Sequence, residues 1–109
     1  MTQVTLTTGE TLNLDWNLYA MTMMEFFVAE APTVKKSNLA NATMMILAAI
    51  HGGTPDCTLN LETLQRKIGK SMEDFRLLSD AASKEYQEFE QLNKGMAPSD
   101  DKKKADSSN

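Results

Sequence analysis

Apolar and polar positions alternate along the first residues of the chain and then change period. Gln3, Val4, Thr5, Leu6 and Thr7 alternate with β-branched residues among them, and Thr11, Leu12, Asn13 and Leu14 alternate again after Thr8, Gly9 and Glu10. Two short alternating runs around a glycine-containing turn predict a β-hairpin. An isolated hairpin is marginal in water, so it is expected to pack on helices or to pair with another chain through its open edge. From Asp15 the period becomes helical, with Asp15 as the expected N-cap. Trp16, Tyr19, Ala20, Met23 and Phe27 form the stripe, and Met24 and Phe26 widen it. Pro32 disfavours helical geometry in the residue before it, which predicts an end near Ala31.

A loop over Thr33 to Lys36 is expected next, with Ser37 or Asn38 capping a second helix. There Ala40, Met44, Leu47, Ala48 and His51 share one side, Met45 and Ile50 flank it, and Gly52 and Gly53 are expected to end it. Thr54, Pro55 and Asp56 are turn chemistry. A short third helix is predicted from about Asn60 to Ile68, with Leu61, Leu64 and Ile68 on one face and Gly69 as the break. Ser71 with Asp74 three residues on resembles a capping box in which aspartate replaces glutamate. The fourth helix carries Phe75, Leu78, Ala82, Tyr86 and Phe89 at helical spacing. After Gly95 the chain becomes polar through Pro98, Asp100, Asp101 and Lys102 to Lys104, a composition that buries too little apolar surface to offset its ordering entropy. The expected fold is therefore mainly α, an N-terminal β-hairpin followed by about four helices. Residues 1–94 are expected to form one domain and residues 95–109 a disordered tail.

Length and charge narrow the function. A chain of 109 residues has room for one modest core. No apolar run reaches the roughly 18 residues that span a bilayer, and the polar start lacks the pattern of a secretory leader. The single cysteine, Cys57, excludes an internal disulfide framework, so a reducing, cytoplasmic setting is expected. Residues 1–30 carry Glu10, Asp15, Glu25 and Glu30 and no lysine or arginine, which equals the whole net charge of -4. An acidic first third argues against general nucleic-acid binding.

Little in the chain suits catalysis. His51 and Cys57 are the one conceivable catalytic pair, but they read more simply as a histidine at a helix C-terminus and a buried packing cysteine. Glu85, Glu88 and Glu90 lack the loop spacing of a calcium site and, with Lys84 and Lys94 nearby, read as a solvated face. No phosphate loop or zinc-protease pattern occurs. No cofactor, metal or enzymatic activity is expected. The alternative to a protein-binding role is DNA recognition by residues 59–78, two short helices around Gly69 with Arg66, Lys67 and Lys70 clustered. Against it, the start of the second helix is Met72, Glu73 and Asp74, and those carboxylates would face phosphates.

Five of the eight methionines fall in two helices: Met21, Met23 and Met24, then Met44 and Met45. Flexible thioethers re-pack against varied surfaces. Met23 and Met44 lie on the main stripes and are expected in the core. Met21, Met24 and Met45 lie beside them and are the candidate partner-binding residues.

The order of elements carries a resemblance. Thr5 to Leu14 form the strand, glycine turn and strand. Tyr19, Ala20, Met21, Met24 and Glu25 lie on the first helix, Met45 to His51 on the second, and Cys57 to Leu64 precede the long amphipathic helix. This order, over about residues 3–92, resembles the tail assembly chaperones of long-tailed bacteriophages. The resemblance implies a non-enzymatic protein of the host cytoplasm that coats the helical tape measure protein, keeps it soluble, recruits tail tube subunits and leaves before the virion is complete. It also implies a homo-oligomer without nucleic-acid or membrane partners. The chain is similar to the short form of a pair whose longer member arises by frameshifting. No catalytic or invariant binding residue carries over.

Overall fold

The computed structural model describes residues 1–30 and 38–94. Strands β1 (Thr2–Thr5) and β2 (Thr11–Leu14) precede helices α1 (Leu18–Glu30), α2 (Asn38–Gly53), α3 (Leu61–Ile68) and α4 (Met72–Leu92). The predicted mainly α architecture with an N-terminal hairpin is the one observed. The Pro32 stop, the loop over Thr33 to Lys36, the Ser37 cap and the tail beyond Gly95 lie outside the described residues.

The hairpin is antiparallel and pairs Thr2 with Leu14, Gln3 with Asn13, Val4 with Leu12 and Thr5 with Thr11. Its tip closes through Leu6 N–H to the Glu10 carbonyl and Gly9 N–H to the Leu6 carbonyl, each 2.8 Å. Gly9 has φ +94°, a conformation that glycine adopts without a side-chain clash. Period-two alternation sends Val4, Leu6, Leu12 and Leu14 to one face, and all four are buried. That face lies on α2 and α4, so the hairpin gains its stability from the helices.

Helix α2 is the centre of the domain. Contacts with α1, α3, α4 and β2 surround it, and every residue from Ile46 to His51 is buried. The one-sided stripe expected from the sequence therefore understates it, because Ile46 and Ala49 are buried too. A helix covered from several directions has no solvent side to keep polar.

Two expectations at the ends of α1 and α2 need correction. The N-cap of α1 is Asn17, whose Oδ1 accepts from Ala20 N–H at 2.9 Å. Asp15 instead donates its backbone N–H to the Ala49 carbonyl at 3.0 Å, while its carboxylate accepts from Asn17 Nδ2 at 3.2 Å. Gly52 and Gly53 do not follow α2 but form its last turn. The chain between β2 and α1 crosses this turn at close range. A Cβ on Gly53 would sit 2.7 Å from the Asn13 carbonyl oxygen, and one on Gly52 would meet the Asp15 carbonyl oxygen. The Gly52 carbonyl, left open at the end of α2, accepts from Asn17 Nδ2 at 3.0 Å, and the Ala49 carbonyl one turn back receives the Asp15 N–H. The neighbouring Thr54 Oγ1 donates to the Asn13 carbonyl at 3.0 Å, occupying part of the outer edge of β2.

The second half of the chain follows its capping signals. Asn60 Oδ1 accepts from Thr63 N–H at 2.8 Å and Thr63 Oγ1 accepts from Asn60 N–H at 2.7 Å, a reciprocal capping box that starts α3. On α3, Leu64 is fully buried and Leu61 and Ile68 are packed beside it. Helix α4 begins with half of the expected box. Ser71 Oγ accepts from Asp74 N–H at 3.1 Å, but the Asp74 carboxylate turns to the hairpin tip. It accepts from Thr7 N–H at 3.0 Å and Thr7 Oγ1 at 2.8 Å. Leu78 and Ala82 then enter the core, and Phe75, Tyr86 and Phe89 pack at its margin.

Candidate functional site

Helix α1 is apolar at every position except Thr22, Glu25 and Glu30, yet only Ala20 is fully buried. Its principal packing partner is α2, so one narrow side is covered. Met23, Met24 and Phe27 pack against the core around Ala20. Placing successive residues about 100° apart puts Leu18, Thr22 and Phe26 on one outward ridge, with Tyr19 beside it. Leu18 is 73 % exposed, and Tyr19 and Phe26 are each 56 % exposed. The sequence stripe had placed Tyr19 and Phe26 inward. Contact with a single neighbour covers fewer positions than an all-round apolar helix offers.

The other flank of α1 carries methionine. Met21 is 40 % exposed, and Met24 and Val28 are half-buried on the same side. Of the five methionines, only Met44 is completely enclosed. Met23 was expected in the core and reaches its margin, while Met45 is half-buried against the core from α2. Met21 is therefore the most exposed of the three candidate partner residues, and Met24 and Met45 show only part of their surface.

The groups considered for chemistry occupy packing positions. His51 is buried, and its Nε2 lies 2.8 Å from the Leu59 carbonyl. A carbonyl only accepts, so Nε2 carries a proton and donates. The ring also packs on Phe27 at 5.5 Å. Cys57 is half-buried and free, not enclosed as expected, and its backbone N–H donates to the Thr54 carbonyl. His51 and Cys57 share the wall of a shallow depression of about 350 Å³ with Tyr19 and Asp56. Among the described residues no hydrogen bond joins them, and no cluster of acidic, histidine or cysteine side chains is arranged to hold a metal ion.

Glu85 departs from the solvated face assigned to it. Glu88 and Glu90 are exposed, but Glu85 is only 4 % exposed beneath the start of β1. It accepts from Thr2 Oγ1 at 2.6 Å and pairs with the Met1 ammonium at 3.3 Å. Burial by itself would raise its pKa, but the Thr2 hydrogen bond and the ammonium outweigh that effect and hold the carboxyl below its ordinary value. Nearby, the Trp16 ring meets Tyr86 edge-on at 5.3 Å. The indole Nε1 is buried without a hydrogen-bond acceptor.

The basic cluster of residues 59–78 is partly neutralised within the fold. Lys67 Nζ contacts both carboxylate oxygens of Glu10, at 2.9 and 3.1 Å, and Arg66 pairs with Glu62 at 2.9 Å. The start of α4, the end that would approach DNA, is tied to the hairpin through Asp74 and Thr7. None of the described helices is long and apolar enough to cross a membrane. No protein-family model matches the chain, and neither the curated proteins nor the solved structures contain a match to it.

Proposed function

We propose that this protein is a non-enzymatic tail assembly chaperone of a long-tailed bacteriophage, acting in the host cytoplasm and absent from the finished virion. It binds and solubilises the tape measure protein and recruits tail tube subunits. The observation that carries this reading is the composition and exposure of α1, a helix of 13 residues with ten apolar side chains and only one of them fully buried. A coating protein must accept many non-identical segments of a long helical partner. The flank of Met21, Met24 and Val28 suits that task, since thioethers adapt to different neighbours and helical partners dock through apolar stripes. The order of hairpin and helices supports the same reading through its resemblance to these chaperones.

Engagement of Lys67 with Glu10 and of Asp74 with Thr7 weighs against the DNA-binding alternative. The test is co-expression with the tape measure protein of the same phage. The expected outcome is a soluble tape measure protein that co-purifies with this chain, with recovery reduced by Met21→Glu. Equal insolubility with and without this chain refutes the proposal.

A further inference from the structure

We propose that β1 is a strap, closed over the helices by two carboxylates of α4, which opens as one unit from a hinge at the turn while β2 stays in place. The buried residues of α4 are Asp74, Leu78, Ala81, Ala82 and Glu85, a single stripe that begins and ends in a carboxylate. Both carboxylates accept from threonines at the two ends of the same segment. Glu85 takes Thr2 Oγ1 at 2.6 Å, and Asp74 takes Thr7 N–H and Oγ1 at 3.0 and 2.8 Å. The spacings match. Eleven helical steps from Asp74 to Glu85 rise about 16.5 Å, and five extended steps from Thr2 to Thr7 span about 17 Å. The segment therefore runs antiparallel along the stripe with a clasp at either end, independently of the chaperone reading.

The two strands are secured differently. Leu6 N–H donates to the Glu10 carbonyl, so in this register even-numbered residues bond across the hairpin and odd-numbered ones turn their backbone groups outward. On the β2 side those outward groups are locked to the end of α2. Asp15 N–H donates to the Ala49 carbonyl, the Asn13 carbonyl accepts from Thr54 Oγ1, and Gly53 lies so close to Asn13 that a Cβ does not fit. On the β1 side the outward N–H of Thr7 goes to the Asp74 carboxylate, a side chain that can swing aside. Among the helices, β1 lies chiefly on α4 and β2 chiefly on α2. Lys67 Nζ holds Glu10 just after the turn, which fixes the β2 end and leaves the turn as the hinge. Opening bares Val4 and Leu6, whereas loss of the whole hairpin would also take Leu12 and Leu14 out of the core. The smaller apolar exposure favours release of β1 alone.

Amide hydrogen exchange of the full chain, read residue by residue by NMR, tests the opening. The amides of Val4, Leu6 and Leu12 are bonded across the hairpin, whereas that of Asp15 is bonded to α2. Release of β1 exposes the first three and spares the fourth. Val4, Leu6 and Leu12 are expected to share one opening constant, at least about tenfold larger than those of Asp15 and of Ile46 and Ile50 in α2. Equal protection of Leu12 and Asp15 overturns the proposal, because β2 would then leave together with β1.

The two clasps separate unit opening from fraying. Glu85→Gln and Asp74→Asn keep the side-chain shape and remove the charge at opposite ends of the strap. In a strap that opens as one unit, either substitution is expected to raise the opening constant at Val4 and at Leu6 by the same factor, about tenfold. A strand that frays responds locally, so Glu85→Gln would act on Val4 far more than on Leu6 and Asp74→Asn the reverse. That local pattern overturns the proposal, and so does an unchanged opening constant at both amides in both variants. The wild-type comparison of Leu12 with Asp15 decides the matter even where a variant does not fold.

Discussion

Replacing Asp74 with alanine removes a carboxylate that ties the hairpin tip to the start of α4. Its carboxylate is 1 % exposed and accepts two hydrogen bonds from Thr7, at 3.0 Å from the backbone N–H and 2.8 Å from the hydroxyl. Hydrogen bonds to a charged group contribute about 1.5–3 kcal/mol each, and an acidic side chain in a helix's first turn adds about 0.3–1 kcal/mol. Releasing the carboxylate from its buried position offsets part of that sum. A net loss of about 2–4 kcal/mol is expected for Asp74→Ala, a large share of the roughly 5–15 kcal/mol that a domain of this size has. Urea unfolding monitored by circular dichroism measures it as a lower midpoint at unchanged slope. Thr7→Ala removes only the hydroxyl bond, so the pair of substitutions forms a double-mutant cycle with an expected coupling of about 1–2 kcal/mol. Additivity within about 0.5 kcal/mol, or a loss below about 1 kcal/mol for Asp74→Ala alone, would refute the assignment.

Three further outcomes follow from the packing. Gly53→Ala places a Cβ 2.7 Å from the Asn13 carbonyl oxygen and 2.9 Å from Asp15 N. The hairpin must shift, and a thermal melt is expected to show a loss of about 1–3 kcal/mol even though alanine is the better helix former. Leu64→Ala, at a fully buried site on α3, is expected to cost about 2–5 kcal/mol, whereas Met72→Ala, at a site 71 % exposed, is expected to stay within about 0.5 kcal/mol in the same assay. Glu85 has a carboxyl pKa lowered from an ordinary 4.5, so its stabilising effect is fully present above that value and is lost as the pH falls through the lower, folded value. Wild-type stability is expected to fall toward that of Glu85→Gln over this acid range, and a constant difference between the two down to the acid limit would contradict the ion pair.

The methionine enrichment divides once the helices are placed. Met44 is internal, Met23, Met24 and Met45 sit at the core's margin, and Met21 reaches solvent. Adaptable contact is therefore concentrated on α1, and the larger uncovered area on that helix belongs to Leu18, Tyr19 and Phe26. Wheel geometry separates the two sides, with Glu25 between them.

Local signals in the chain were sufficient for the elements themselves. Alternation at Val4, Leu6, Leu12 and Leu14, the Asn60 start, the Gly69 break, the Ser71 cap and the stripe through Leu78 and Ala82 each act within a few residues, and each stands where its spacing places it. Side-chain fates that depend on a distant neighbour were not legible. Glu85 is 83 residues from Thr2 and looks like any carboxylate on a charged helix until the hairpin folds over it. Asp74 signals a cap, and only the nearby hairpin tip turns its carboxylate to Thr7. Gly52 and Gly53 signal a helix end, whereas the crossing backbone of Asn13 and Asp15 makes them a packing requirement inside the helix. Helix α1 shows the limit most clearly. Its sequence is apolar nearly all round, so periodicity alone has no preferred side to bury. Packing against α2 chose the side of Ala20 and Met23, and that choice left Leu18, Tyr19 and Phe26 in water.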